Sequence, residues 1–232
     1  TVTSFVTYAF SHNIGASVFS GAVVRYRAYS SRGLSAQEIG VLIAFCSFTF
    51  AIGTLMLAGL VLVIEPQVFS DARGFFLETW NRRKFAEAGL DADFVQDNHS
   101  CSVKNTLRGL HYQLQNTQGK LVRVNLGTVF DVAVDIRRSS PTFGQWVGEV
   151  VSAENKKLFW VPPGFAHGFM VLSDVAEFQY KCTDYYNPAA ERCIAFDDPD
   201  LAISWPVKDP AQLILSAKDR AGKAFKAAEL FA

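Results

Sequence analysis

The sequence predicts an all-β domain over residues 62 to 232, preceded by a helical segment of membrane type over residues 1 to 61. Two observations predict this division. Residues 39 to 64 carry no charge, whereas after Glu65 short apolar or alternating runs recur every 8 to 14 residues, separated by Gly, Pro, Asn and Ser. Short strands at such spacing, with turn residues between them, are typical of a β-sandwich or β-barrel.

The uncharged run, IGVLIAFCSFTFAIGTLMLAGLVLVI, lies between Glu38 and Glu65. As a helix it would be roughly 39 Å long at 1.5 Å per residue, which exceeds the ~30 Å hydrocarbon layer of a membrane. We therefore expect a transmembrane helix over residues 39 to 64, opened by a capping box of Ser35 and Glu38. The alternative is a buried helix that continues into a β-strand near Leu60.

The stretch SHNIGASVFSGAVVRYRAYSSRGLSAQEIGVLIAF resembles part of the membrane domain of the lysylphosphatidylglycerol synthase/flippase family. This resemblance covers about the first 60 residues, and no catalytic residue carries over from it. We interpret the chain as two unrelated pieces joined near LVLVIEP, by a gene fusion or by an error of sequence assembly. The full chain is then expected to contact a membrane through residues 1 to 64.

The charged residues argue against a polyanionic partner. Lys and Arg number 22 and so do Asp and Glu, so no global field favours nucleic acid. The four cysteines show neither a CxxC motif nor the spacing of a metal site. They are expected to be free thiols in a reducing compartment.

The elements of the β domain follow one another with few helices between them. The expected strands are FFLETW, KLVRVNL, VFDVAVDI, WVGEVV, LFWVP, HGFMVL, EFQYKC and RCIAF. NRRKFAEAGL predicts a short surface helix that ends at Gly89. The tail KDRAGKAFKAAELFA predicts a final short helix.

The most informative local motif is LRGLHYQ, which contains His111. The absence of an HxH pair argues against a metal ligand, and the residues alone leave a packed core histidine and a catalytic base both open. The two-residue period of a strand would place Arg108 and His111 on opposite faces, unless Gly109 forms a bulge. We predict that both side chains reach the barrel interior, with an irregularity near Gly109.

Other polar motifs have plain structural explanations when each is taken alone. His167 in PPGFAHGF fits a hydrogen-bonded side chain at a stiff corner. Arg73 and Glu78 in DARGFFLETW fit an exposed ion pair. Lys120 fits a solvated charge at a strand start, and Tyr180 fits a packed aromatic residue.

Taken together, the motifs of residues 62 to 225 resemble the dTDP-4-dehydrorhamnose 3,5-epimerase family. The resemblance runs through VLVIEPQVFSDARGFFLETW, FVQDNHS, LRGLHYQ, QGKLVR, VFDVAVDIRRSSPTFG, SAENKK, VPPGFAHGF, YKCTDYY and LSAKD. It implies a cupin-type double-stranded β-helix (jelly roll) and a homodimer, with no metal and no organic cofactor. It also implies a cytoplasmic enzyme, although the upstream membrane-type segment conflicts with that location.

The implied reaction is epimerisation at C3 and C5 of dTDP-4-dehydro-6-deoxy-D-glucose, which gives dTDP-4-dehydro-L-rhamnose. The resemblance makes His111 the base, Asp219 its orienting partner, Lys120 the enolate stabiliser and Tyr180 the acid, in preference to Tyr186. The residues implied to bind substrate are Arg73, Glu78, Gln96, Asp97, Asn98, Arg108, His167, Tyr186, Glu191 and Lys218. The alternatives are a 3- or 5-epimerase of a related dTDP-4-keto sugar and a non-catalytic sugar-nucleotide-binding cupin.

Overall fold

The structure, a computed structural model, describes residues 61 to 232. Alternating and apolar runs form the strands, and turn residues end them. The strands are β1 Leu62–Ile64, β2 Val68–Asp71, β3 Gly74–Leu77, β4 Gln96–Val103, β5 Leu107–Gln113, β6 Lys120–Leu126, β7 Thr128–Asp135, β8 Trp146–Ser152, β9 Leu158–Val161, β10 Phe165–Val171, β11 Val175–Cys182 and β12 Glu191–Cys193. The helices are α1 Arg82–Glu87 and α2 Ala217–Arg220, with 3-10 turns at Pro210–Gln212 and Phe225–Ala227.

Two antiparallel sheets of five strands form the body of this domain. One sheet has the order β1-β9-β6-β11-β4, and the other has the order β12-β5-β10-β7-β8. Strands β2 and β3 form a separate two-stranded hairpin. The prediction of an all-β architecture is confirmed for residues 61 to 232, and two facing antiparallel sheets are what a jelly roll requires.

The main core fills the space between the two sheets. Val122 and Phe178 come from the first sheet, whereas Ala133 and Phe169 come from the second, and all four are buried. The rings of Phe169 and Phe178 stack with centroids 3.9 Å apart, so the two sheets are in direct contact through aromatic side chains. Burial of this apolar surface is the main stabilising contribution to the sandwich.

Residues 62 to 64, the end of the predicted membrane helix, form strand β1 instead. They pair with β9 in the register Leu62↔Trp160 to Ile64↔Leu158, and Val61 packs into the main core. A short apolar run suits a buried strand and part of a helix equally well, so hydropathy alone cannot distinguish a strand from a helix at residues 62 to 64. The alternative of a strand in this region is therefore the correct one from residue 62 onward.

The remaining N-terminal predictions lie outside the described residues. They are the span over residues 39 to 60, the capping box of Ser35 and Glu38, and the resemblance to a membrane domain. Within residues 61 to 232, no helix combines the length and the apolar character that a membrane crossing needs.

The helix predictions were partly right. Helix α1 begins after Asn81, whose side chain accepts a hydrogen bond from the Lys84 N–H, and it ends before Gly89 as expected. The predicted final helix is wrong as a single element. The tail forms the one-turn helix α2 and a 3-10 turn at residues 225 to 227, because the chain between them runs beside β12, where Ile194 bridges to Lys223.

A buried carboxylate fixes the corner after β7. Asp135 is 1 % exposed, and it accepts hydrogen bonds from the guanidinium of Arg137 and from the hydroxyls of Ser140 and Thr142. Burial raises the pKa of Asp135, but these hydrogen bonds outweigh it and hold the pKa at about 2. The network keeps the loop from β7 to β8 closed against the sandwich.

Replacing Asp135 by alanine is expected to lower the free energy of unfolding by about 3 kcal/mol, because Arg137 would remain half-buried without its partner. The pKa of Asp135 lies below the ~3.9 of an unfolded aspartate. Its contribution is therefore present above that value and is lost as the pH falls toward 2. Urea unfolding of the full chain between pH 7 and pH 3 measures both effects.

Asp174→Ala is the matched control, since this aspartate is 95 % exposed and, within residues 61 to 232, its carboxylate pairs only with Lys104. It should change the free energy of unfolding by less than about 0.5 kcal/mol. Equal losses in the two variants would contradict a special role for the corner.

Candidate active site

An open cleft lies between the two sheets, at the end beyond the main core. Val161 and Phe165 belong both to the core and to the lining of the cleft, so the core forms its floor. The other lining residues are mainly polar: His111, Tyr112, Gln113, Thr117, Gln118, Lys120, His167, Tyr180, Tyr186 and Glu191. A concave site with converging polar groups over an apolar floor is typical of a small-molecule pocket.

An irregularity in β5 lets Arg108 and His111 project from the same side of the strand, although Arg108 stays exposed where it meets Ser102. His167 pairs with His111, but Phe169 pairs with Arg108, so β5 has one more residue than β10 over this stretch. Gly109 lies in this stretch at φ 138°, and a Cβ there would lie 2.5 Å from the Cα of Gly168. Only glycine fits such a position. The predicted irregularity near Gly109 is confirmed.

His111 and Asp219 form a close pair. Nε2 of His111 lies 2.8 Å from Oδ1 of Asp219, although the ring N–H is poorly aligned with that oxygen. Asp219 is 3 % exposed, whereas a quarter of the His111 side chain remains accessible from the cleft. With Nε2 directed at the carboxylate, Nδ1 is the ring nitrogen left to accept a proton.

The backbone around Asp219 explains why its carboxylate lies there. Ser216 caps helix α2, and Asp219 at the third position completes a capping box with it. The carboxylate also accepts the N–H of Gly109, at 3.0 Å. Burial raises the pKa of Asp219, but the close imidazole of His111 and hydrogen bonds from Ser216 and Gly109 outweigh it, so the net pKa is lowered and the carboxyl stays ionised.

A second histidine–aspartate pair lies beside the first. His167 Nε2 is 2.6 Å from Oδ1 of Asp131, and both side chains are almost fully buried. Burial lowers the pKa of His167 more than Asp131 raises it, so the imidazole is neutral at pH 7. The expectation of a hydrogen-bonded His167 is confirmed, and the residue also lines the cleft.

Lys120 and Tyr180 enter the cleft from the first sheet, opposite His111. The Lys120 ammonium lies 5.8 Å from the centre of the Tyr180 ring. Burial lowers the pKa of Lys120 and raises the pKa of Tyr180 to about 12. The phenol is therefore protonated at neutral pH, and the poorly solvated ammonium would interact strongly with a negative charge that forms nearby.

Tyr186, Glu191 and Lys218 form a chain of contacts at the mouth of the cleft. The Tyr186 hydroxyl donates to Glu191 at 2.6 Å, and Lys218 forms an ion pair with the same carboxylate. Burial raises the pKa of Glu191, but hydrogen bonds from Lys218 and Tyr186 lower it by a larger amount. The net pKa is therefore lowered, and Glu191 stays ionised. The structure thus brings these three predicted residues together.

The predicted residues of β4 are divided between its two faces. Gln96 and Asn98 lie on one face, where their amides bond to each other and Gln96 accepts the N–H of Tyr186. Asp97 lies on the other face and pairs with Lys181. Arg108 projects from β5 to Ser102 on β4, so it joins the two sheets beside the cleft.

Arg73 and Glu78 are not brought to the cleft. Arg73 lies in the turn of the β2–β3 hairpin, 90 % exposed, and pairs with Asp71. Glu78 follows β3 and pairs with Lys84 of α1. The sequence suggested an exposed ion pair between Arg73 and Glu78. Each of them does form an exposed ion pair, but with another residue.

Sequence reasoning missed Asp131 and Cys193 as well as four residues of the lining, which are Tyr112, Gln113, Thr117 and Gln118. Asp131 is one of two aspartates in the otherwise apolar run VFDVAVDI, and a buried charge requires a partner, so that signal was available. Gln113 lines the cleft and accepts the N–H of Asn187. Cys193 reaches the His111–Asp219 pair only because β12 pairs with β5 in the register Cys193↔His111, which no local pattern reveals.

The arrangement offers general acid–base chemistry. An imidazole beside an ionised carboxylate, a buried ammonium and a protonated phenol face one another across the cleft. Such a set can remove a proton next to a carbonyl, stabilise the resulting enolate and return a proton.

Comparison with known proteins gives one family. The model of the dTDP-4-dehydrorhamnose 3,5-epimerase family matches residues 55 to 227. A dTDP-4-dehydrorhamnose 3,5-epimerase of Pseudomonas aeruginosa is 61 % identical over 172 residues, which cover 74 % of this chain and 94 % of that protein. The enzyme of the same name from Shigella flexneri is 57 % identical, over 74 % of this chain and 94 % of that protein.

Solved structures agree with these matches. A dTDP-6-deoxy-D-glucose-3,5-epimerase of Legionella pneumophila, in complex with dTDP-4-keto-L-rhamnose, superposes with a TM-score of 0.71 at 56 % identity and covers 73 % of this chain and 89 % of its own. A 3'-monoepimerase of Streptomyces bikiniensis, in complex with dTDP-quinovose, gives 0.68 at 33 % identity, over 73 % and 85 %. By sequence and by structure, the chain belongs to the dTDP-4-dehydrorhamnose 3,5-epimerase family.

Proposed function

We propose that this chain inverts C3 and C5 of dTDP-4-dehydro-6-deoxy-D-glucose, giving dTDP-4-dehydro-L-rhamnose. The observation that carries this proposal is the meeting of the His111–Asp219 pair with Lys120 and Tyr180 in one cleft. The family is an isomerase family, and relatives that are 56 to 61 % identical carry this activity in their names.

Each inversion needs a base, a stabiliser and an acid. Both carbons are adjacent to the C4 ketone, so removal of either proton gives an enolate. His111 accepts the proton while Asp219 stabilises the imidazolium that forms. Lys120 stabilises the enolate oxygen, and Tyr180 returns a proton to carbon.

The position of these groups on opposite sheets supports inversion rather than simple exchange. His111 lies on β5 of one sheet, whereas Lys120 and Tyr180 lie on β6 and β11 of the other. A sugar ring held between the sheets presents one face to His111 and the other to Tyr180. The proton therefore leaves from one face and returns to the other.

The nucleotide would occupy the mouth of the cleft. Arg108, His167, Glu191 and Lys218 supply charged or polar groups there, and Arg is suited to bidentate contacts with phosphate oxygens. Gln96, Asn98 and Tyr186 surround the same opening. The carboxylate of Asp97 pairs with Lys181 and faces away from the cleft, so in this proposal Asp97 contacts the nucleotide through its backbone.

A single inversion is the second candidate. The 3'-monoepimerase of Streptomyces bikiniensis shares the fold at 33 % identity, so the fold alone does not determine how many carbons react. Product analysis by NMR separates one inversion from two. A non-catalytic sugar-nucleotide-binding protein would not need the buried Lys120 or the His111–Asp219 pair, because burial of charges is costly.

Replacing His111 by asparagine is expected to slow the entry of solvent deuterium at C3 and C5 by about 10²- to 10⁴-fold, because the base is lost. Exchange is followed by NMR on the full chain with substrate in D₂O. His99→Asn is the matched control: this exposed histidine on β4 pairs with Glu177 outside the cleft, so exchange should continue at the normal rate. Undiminished exchange in the His111 variant would show that another group is the base.

Tyr180→Phe is expected to retain exchange while net inversion falls by about 10²-fold, because removal of the proton does not require the acid. Tyr186→Phe should have a smaller effect, since its hydroxyl already donates to Glu191. Exchange and product are measured in the same NMR samples. The reverse order of the two variants would make Tyr186 the acid.

We also propose that the enzyme works as a homodimer in which Arg73 and Glu78 act in the partner's cleft. Both match substrate-binding positions of the family, yet both lie outside the cleft of their own chain. The hairpin that carries Arg73 exposes Phe69, Phe75 and Phe76, whose exposed fractions are 54, 61 and 70 %. Such an apolar surface favours a protein contact.

A mixing experiment tests this arrangement. His111→Asn and Arg73→Ala are each expected to be inactive as homodimers, since one lacks the base and the other lacks a ligand contact. Refolding the two variants together should restore about a quarter of wild-type activity, because each mixed dimer then contains one intact cleft. Absence of recovery in mixed dimers, verified by two different affinity tags, would place Arg73 outside the partner's cleft.

We further propose a two-part chain, with the epimerase domain over residues 62 to 232 and acting in the cytoplasm, where its nucleotide-sugar substrate is made. The compact unit Ala58–Ala232 and the packing of Val61 into the core support a boundary close to residue 62. A membrane segment or a joined fragment over residues 1 to 60 stays a prediction, because those residues lie outside the described ones.

A further inference from the structure

We propose that His111, Cys193 and Asp219 form a capture site for a soft divalent cation such as Zn²⁺, and that a bound ion blocks the base of the cleft. The ligand atoms of these three side chains all lie within 4.8 Å of one another. Among residues 61 to 232, this is the one group of three such ligands. Imidazole, thiolate and carboxylate together are a ligand set that zinc prefers.

The fold brings the three residues together from separate parts of the chain. Strands β12 and β5 pair in the register Cys193↔His111, and helix α2 places Asp219 against the same point of β5. A tetrahedral zinc ion requires ligand atoms roughly 3.3–3.8 Å apart. The thiol would therefore need to move inward by at most about 1 Å, and the 2.8 Å contact of His111 with Asp219 would need to open slightly.

The carboxylate is already held in place for such a role. Asp219 accepts hydrogen bonds from the Gly109 N–H, the Ser216 N–H and the Ser216 hydroxyl. Hydrogen bonds of this kind orient a ligand and strengthen metal binding. Within residues 61 to 232, Nε2 of His111 lies next to this carboxylate without a well-aligned hydrogen bond, so an ion between them would provide Nε2 with a partner.

Binding would release a proton. The S–H bond of Cys193 breaks, an S–Zn bond forms, and the proton passes to solvent.

A bound ion would compete with the reaction. An ion on Nε2 requires the proton of that nitrogen to move to Nδ1, and the ion also takes up the negative charge of Asp219. The imidazole could then no longer gain the proton of the substrate with a carboxylate to stabilise it. This consequence rests on the proposed function, whereas the metal site itself does not. The ion acts here as an inhibitor and has no part in the epimerisation.

The test measures ion binding and activity separately on the full chain. Cobalt(II) replaces zinc and is titrated into wild type, Cys193→Ser and Cys101→Ser. The thiolate-to-cobalt charge-transfer band reports a thiolate ligand, and the d–d bands of the bound cobalt give the affinity in all three proteins. Zn²⁺ is titrated into the deuterium-exchange reaction, with each variant scaled to its own metal-free rate. Cys101 is the matched control, since it is an exposed thiol on the edge strand β4. Mg²⁺, which prefers oxygen ligands, is the control ion.

We expect the band and the zinc inhibition in wild type and in Cys101→Ser, and a loss of affinity of more than about tenfold in Cys193→Ser. Equal affinity in Cys193→Ser, or no charge-transfer band in wild type, would overturn the site. A band without inhibition of an active enzyme would overturn the block of His111. A band on a protein that exchanges no deuterium even without metal would support the site and overturn the proposed function instead.

Discussion

The carboxylate of Asp219 connects three parts of the structure on which the cleft depends. It accepts the N–H of Gly109 in the irregular part of β5, lies against the ring of His111, and closes the capping box of Ser216 in α2. These contacts span 110 residues of sequence. Because the carboxylate is buried and fully used, its position determines the orientation of the imidazole, and the chemistry of the cleft follows from that orientation.

The β-sandwich supplies the second feature that the cleft needs, which is two facing sheets with an apolar core between them. The stacked rings of Phe169 and Phe178 join the sheets directly below the polar groups. This apolar surrounding buries Lys120 and Tyr180, lowers the pKa of the first and raises the pKa of the second. The fold therefore keeps the Tyr180 phenol protonated and the Lys120 ammonium poorly solvated, although the two groups lie side by side.

The sequence predicted the β architecture and the meeting of His111, Lys120, Tyr180 and Asp219, because the strand pattern and the family motifs are both local signals. The sequence did not predict the residues that reach the site through pairing of strands distant in the chain. Asp131 and Cys193 reach the site through strand register, which a single sequence does not display.

The hairpin shows a related limit of sequence reasoning. The resemblance implies that Arg73 binds substrate, but the described chain holds it in solvent, so the role that we propose for it depends on a second copy of the chain. The prediction of a membrane helix was wrong at residues 62 to 64 for a different reason. Their apolar side chains suit a helix and a buried strand equally well, and only the pairing with β9 identifies them as a strand.

The central claim is that Asp219 fixes the tautomer of His111, so that Nδ1 is free to accept a substrate proton. Nitrogen-15 NMR of the histidine rings in the full chain at neutral pH measures this directly, since protonated and unprotonated ring nitrogens have distinct shifts. We expect Nε2 of His111 to carry the proton and Nδ1 to carry none. A His111 ring that carries its proton on Nδ1 would contradict the claim.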